Sequence, residues 1–105
     1  MKISAKVLQQ LIKEDLDLDA VLEYKFHPIR RWRIDLAIPS LSIAIELEGG
    51  IWTNGRHTRG KGFLGDIEKY NNLSIFKWRL LRYTHSNHNY TDIINDLKEY
   101  TKNNG

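Results

Sequence analysis

The sequence predicts one α/β domain, and three observations carry that reading. Residues 32–48 hold two runs in which apolar and polar side chains alternate. A third apolar run, Trp78 to Tyr83, follows a helical segment. Apolar residues spaced three and four apart mark helices towards both ends of the chain. A length of 105 residues suits a single domain over residues 1–105. With 41% hydrophobic and 28% charged residues, the composition belongs to a globular chain and not to a disordered one.

The elements follow in order. Ile3, Val7, Leu8, Leu11 and Ile12 lie at helical spacing behind Ser4, a good N-cap. The helix is expected to continue, with a break, through Val21 and Leu22. A short extended stretch around residues 24–26 ends at Pro28. Trp32, Ile34, Leu36 and Ile38 alternate with Arg33, Asp35 and Ala37. Ile43, Ile45 and Leu47 alternate with Ser42, Ala44, Glu46 and Glu48. Period two in both runs predicts two half-buried strands, and Pro39-Ser40-Leu41 predicts the tight turn between them. A long polar loop with glycines at 49, 50, 55, 60 and 62 follows. Phe63, Ile67 and Tyr70 mark a helix to about Ile75, Trp78–Tyr83 a core strand, and residues 84–89 a loop. Ile93, Ile94, Leu97 and Tyr100 give a closing helix capped by Asn89 or Thr91.

Composition excludes several classes. No apolar run approaches the ~18 residues of a membrane span, so no membrane partner is expected. The first residues lack the apolar core of a signal peptide, which points to a cytoplasmic protein. The absence of cysteine excludes disulfides, thiolate catalysis and cysteine zinc sites. His85 and His88 form His-x-x-His, but with no cysteine and a polar asparagine-rich setting they make a poor zinc site.

The net charge is +3, unevenly spread. Residues 24–35 carry four cations against one acid, and residues 56–83 carry seven against two. Between these basic blocks lies an acidic island of Glu46 and Glu48. With Pro39 facing Ser42, Ala37 falls opposite Ala44 and Asp35 opposite Glu46. Directly opposed Cβ atoms in a sheet are ~5 Å apart, so like charges there repel. Glu48 lies on the same face, opposite Arg33. Two readings of this cluster stand. A hard divalent cation could be held by Asp35, Glu46 and the Leu47 carbonyl. Alternatively, Glu48 is paired with Arg33, and Asp35 with Arg31 or Arg33.

Asp35, followed after ten residues by Glu46-Leu47-Glu48 at a strand end, resembles the PD-(D/E)XK nuclease superfamily. The likeness is greatest to small phage and bacterial members, the virus-type replication-repair and very-short-patch-repair-like endonucleases. It spans residues 23–83 and includes Trp32-Arg33-Ile34-Asp35, Ile45 to Gly50, His57, Asp66 to Asn71, and Trp78 to Tyr83. The resemblance implies a restriction-endonuclease-like core: a four-stranded mixed sheet flanked by helices in the order α-β-β-β-α-β-α. It also implies hydrolysis of DNA phosphodiesters with Mg²⁺ or Mn²⁺, in phage or bacterial replication, repair or recombination. By position, Asp35 and Glu46 would be metal ligands, and Glu23, placed near the end of the first helix, an auxiliary acid. Glu48 stands where the superfamily usually has lysine. Some members use an acid there as base or second-metal ligand; others move the lysine to the following helix, where Lys69 is the candidate. A nucleic-acid-binding module that keeps the fold without catalysis is the alternative this departure raises, and a small structural or assembly protein is a third.

The loop adds Arg56, Arg59 and Lys61 as phosphate contacts, with Arg33 from the strand. His57 is either a general acid or a phosphate contact. Trp52 either packs in the core or stacks on a base. Asp66 and Lys69 are spaced for an ion pair on one helix face, and Arg79 and Arg82 lie on opposite faces of the last strand. A junction-cleaving enzyme needs two sites, so a homodimer is compatible with this reading.

Overall fold

The computed structural model describes residues 2–49 and 61–104. Ser4 caps the first helix, α1 (Ala5–Leu16), its side chain accepting from the Val7 N–H. The helix stops at Asp17, which takes the left-handed conformation and donates its N–H to the Lys13 carbonyl. This corrects the expected continuation through Val21 and Leu22. Residues Val21–Lys25 are instead the first strand, β1. Leu18, Ala20, Leu22 and Tyr24 alternate with Asp17, Asp19, Val21 and Glu23, and that period-two signal favours a strand over a helix.

Strand β2 (Arg33–Ile38) pairs antiparallel with β1. A single 3₁₀ turn over Pro39–Leu41 leads into β3 (Ile43–Glu48), antiparallel to β2 in the predicted register: Ala37 faces Ala44. Helix α2 (Lys61–Ile75) then carries the chain to β4 (Arg79–Thr84), which lies parallel to β3. Helix α3 (Tyr90–Asn104) closes the chain. Asn89 and Asp92 cap it reciprocally, each side chain accepting the other's backbone N–H at 2.9 Å. The result is a four-stranded mixed open sheet in the order β1-β2-β3-β4, with element order α-β-β-β-α-β-α.

The two faces of the sheet are unequal. Ile3, Leu8 and Ile12 of the α1 segment and Ile93, Ile94 and Leu97 of α3 bury Leu36, Ile38, Ile43 and Ile45 on one side. Leu73 and Tyr70 of α2 meet Ala44, Ile34, Leu80 and Trp78 on the other. The second cluster is smaller because Ala44, and not a large aliphatic residue, faces it, leaving room for polar groups beneath α2. Among the described residues, no helix is long and apolar enough to cross a membrane.

Candidate active site

The site lies where the regular ladders fail on both sides of β2. The β1–β2 pairing runs Leu22–Leu36 and then Tyr24–Ile34, skipping Glu23 and Asp35. Glu23 has φ 50, the left-handed region. It belongs to β1 and not to the first helix, so its predicted place is corrected. The β2–β3 pairing stops at Leu36–Ile45. Backbone groups freed from a ladder must find other partners. Here two carboxylates supply them. The Asp35 N–H donates to Oε2 of Glu46 at 3.0 Å, and the Leu47 N–H donates to Oδ2 of Asp35 at 2.8 Å.

Asp35 and Glu46 are therefore brought together as predicted, each fixed by a backbone amide of the region the other occupies. Glu46 is only 8% exposed. A carboxylate so placed needs a counter-charge. It comes from α2, where Lys69 Nζ lies 3.0 Å from Glu46 Oε1. The ammonium thus serves Glu46 and not the helix neighbour Asp66 that its spacing suggested. The Tyr70 hydroxyl sits 3.5 Å from the same oxygen. Burial, reinforced by the nearby Glu46 carboxylate, pushes the Tyr70 phenol up to about 12.

Glu48 has a different environment. In the parallel register Glu46 lies beside Arg82, on the face that α2 covers. The Arg82 guanidinium grips Glu48 with two parallel hydrogen bonds: Nε to Oε2, and Nη2 to Oε1 at 2.8 Å. The hydrogen bonds to Glu48 hold Arg82 well above its ordinary pKa. Its guanidinium also lies 5.0 Å from the Tyr70 ring centre. This corrects the expected Glu48–Arg33 pairing. Arg33 instead lies 3.5 Å from Glu23, with both side chains more than half exposed. Arg79 points to the opposite face, over Tyr100, as alternation required.

The described residues contain no group of three or more His, Asp or Glu residues arranged to hold a metal ion. What they contain is a carboxylate pair, Asp35 and Glu46, with Lys69 beside it. Glu23 and Glu48 each have an arginine instead. Arg56, His57, Arg59 and Trp52 lie outside the described residues, as does the side chain of Lys61.

No protein-family model, curated protein or solved structure matches the chain. His85 and His88, the other candidate ligands, are structural. His85 Nδ1 accepts the Ile3 N–H at 2.8 Å, tying the start of the chain to the end of β4, and His88 Nδ1 accepts the Thr84 N–H at 3.0 Å.

Arg82 and Tyr70 are the two site residues that spacing did not bring forward. Arg82 carried a signal in its alternation, which placed it on one face of the last strand. Its partner depended on the parallel β3–β4 register, and no short turn sets that register.

Proposed function

We propose that the chain is a divalent-metal-dependent deoxyribonuclease that hydrolyses DNA phosphodiesters, acting in phage or bacterial replication, repair or recombination. The observation that carries this is the Asp35–Glu46 pair, held across two ladder openings with Lys69 Nζ 3.0 Å from Glu46. Carboxylates on neighbouring strands supply the hard oxygen donors that Mg²⁺ or Mn²⁺ requires, and Mg²⁺ characteristically completes a small protein donor set with waters. Asp35 and Glu46 would hold the ion. When bound, such an ion neutralises charge on a phosphate oxygen and lowers the pKa of water.

The chain's own groups supply the rest. Two backbone N–H groups fix the carboxylate orientations, so little reorganisation is needed when substrate enters. Lys69 is a mobile point charge that can leave Glu46 for a phosphate oxygen or a nucleophilic water. It stands where the superfamily resemblance allows a lysine displaced onto the following helix. Arg82, clamped on Glu48, keeps that carboxylate from repelling a phosphate. Arg33 and the loop cations Arg56, Arg59 and Lys61 would contact the backbone, with His57 available to protonate the leaving oxygen.

The test is cleavage of supercoiled plasmid with Mg²⁺ or Mn²⁺. Asp35→Ala and Glu46→Ala are each expected to slow cleavage at least about a hundredfold. Cutting at the wild-type rate by either variant would remove the assignment.

A second reading, a nucleic-acid-binding module without catalysis, is favoured by the ion pairs themselves. Glu46 and Glu48 each have a cation of their own, so neither needs a metal for neutrality. That reading predicts salt-sensitive DNA affinity with no Mn²⁺ binding by calorimetry.

A further inference from the structure

Among the described residues, the β4 edge of the sheet has an open middle. Arg79 N–H donates to the Ser42 carbonyl and His85 N–H to that of Glu48, so odd-numbered residues of β4 face β3. By alternation, the backbone groups of Trp78, Leu80, Arg82 and Thr84 face outward. The two ends are closed from within. Trp78 N–H donates to the Leu73 carbonyl at the end of α2, and Thr84 N–H to His88 Nδ1. Among the described residues, no hydrogen bond reaches the outward N–H or C=O of Leu80 or Arg82. An open cleft of about 720 Å³ lies by the first half of β4, lined by Ser74 and Lys77 and reaching Leu80, Ile43 of β3 and Tyr100 of α3.

We propose that this edge is a docking strand for an extended acidic segment of a partner protein, which adds to the sheet beside β4. Three features select that occupant. First, Leu80 and Arg82 each offer a donor and an acceptor, and only an amide backbone answers both. A phosphodiester accepts but cannot donate, so it leaves the two outward carbonyls unpaired. Second, Lys77 and Arg79, both exposed, make this end of the edge cationic, while Arg82 is already paired with Glu48. Cations on an edge oppose pairing with a second copy of the same edge and favour acidic side chains. Third, the window is short, spanning about 7 Å between Leu80 and Arg82 at strand spacing. It suits a few residues of peptide held by up to four backbone hydrogen bonds, the mode in which strands add to open sheet edges. The proposal does not depend on the nuclease reading, since it uses neither Asp35 nor Glu46.

The test is a ¹⁵N NMR titration of the full chain with a blocked peptide of alternating glutamate and valine, five residues long. A matched lysine-valine peptide serves as control. The acidic peptide is expected to shift the Leu80 and Arg82 amides and slow their hydrogen exchange, while the basic peptide leaves them unchanged. Leu80→Pro removes one outward donor at an edge position, where proline is tolerated, and is expected to abolish the shifts. If that variant misfolds, the double variant Lys77→Glu/Arg79→Glu carries the test. Both side chains are exposed, and affinity is expected to fall at least about tenfold. Four results would overturn the proposal: no change at these amides up to saturation, equal binding of the lysine peptide, shifts that follow protein dilution and so report a second copy, or displacement of the peptide from these amides by a duplex oligonucleotide.

Discussion

Lys69 Nζ lies 3.0 Å from Oε1 of Glu46, joining α2 to β3 across 23 residues of sequence. The side chains are 16% and 10% exposed, so the pair is largely withdrawn from water. Lys69→Met leaves Glu46 without its counter-charge. The expected cost is about 1–3 kcal/mol in chemical denaturation. If Lys69 acts on water or phosphate, plasmid cleavage falls about 10²–10⁴-fold. Mn²⁺ affinity is expected to hold or rise, because the competing ammonium is gone. Weaker Mn²⁺ binding in this variant would mean that Lys69 organises the carboxylates and does not compete for them.

Arg82 holds both carboxylate oxygens of Glu48. Glu48→Ala breaks a pair whose side chains are 29% and 51% exposed, and such pairs contribute no more than about 1 kcal/mol. Its cleavage rate is expected to fall less than about tenfold, against at least about a hundredfold for Glu46→Ala. Equal loss in the two variants would place Glu48 in the reaction.

The strands and their central register are legible in the sequence because a short turn sets them. Pro39 and Ser42 bracket a turn too tight for slippage, so Ala37 meets Ala44 and Asp35 comes to Glu46. Contacts between distant segments are less legible. Glu48 has Arg33 as its neighbour in the local hairpin, yet the partner it takes is Arg82, 34 residues away on a parallel strand. Lys69 and Asp66 look paired on a helix, but a buried carboxylate attracts an ammonium more than an exposed one does. The end of α1 was hidden because Asp17, with neither glycine nor proline near it, adopts the left-handed cap. Glu23 was misplaced with it.

Two phenols resist ionisation. Tyr70 is raised from 10.0 to about 12, first by burial and then by Glu46. Tyr83 is raised further, by burial and by its 2.8 Å hydrogen bond to Asp96. In the unfolded chain both ionise near 10. Above that pH the folded state holds more protons than the unfolded one. The stabilisation is therefore complete below about pH 10; the Tyr70 share is lost as pH rises through about 12, and the Tyr83 share persists to higher pH. Absorbance titration is expected to show late phenol ionisation that Tyr70→Phe and Tyr83→Phe each reduce. A late phase unchanged in either variant would contradict the burial of that phenol.

Gly49, just after β3, lies against the ring that anchors the chain's beginning. A Cβ there would stand 3.0 Å from His85 Cδ2. Gly49→Ala must therefore displace His85 and weaken its bond to the Ile3 N–H. A loss of about 0.5–1.5 kcal/mol and faster amide exchange at Ile3 are expected. Unchanged exchange at Ile3 would show that the ring can move without releasing it.

In the proposed function, Asp35 and Glu46 together hold a divalent cation. Paramagnetic Mn²⁺, titrated at substoichiometric levels into ¹⁵N-labelled protein, tests it directly. The amides of Asp35, Glu46 and Leu47 are expected to broaden first, and Asp35→Ala to abolish this selectivity. Broadening centred on Glu48 or His85, or spread evenly over the acidic surface, would contradict it.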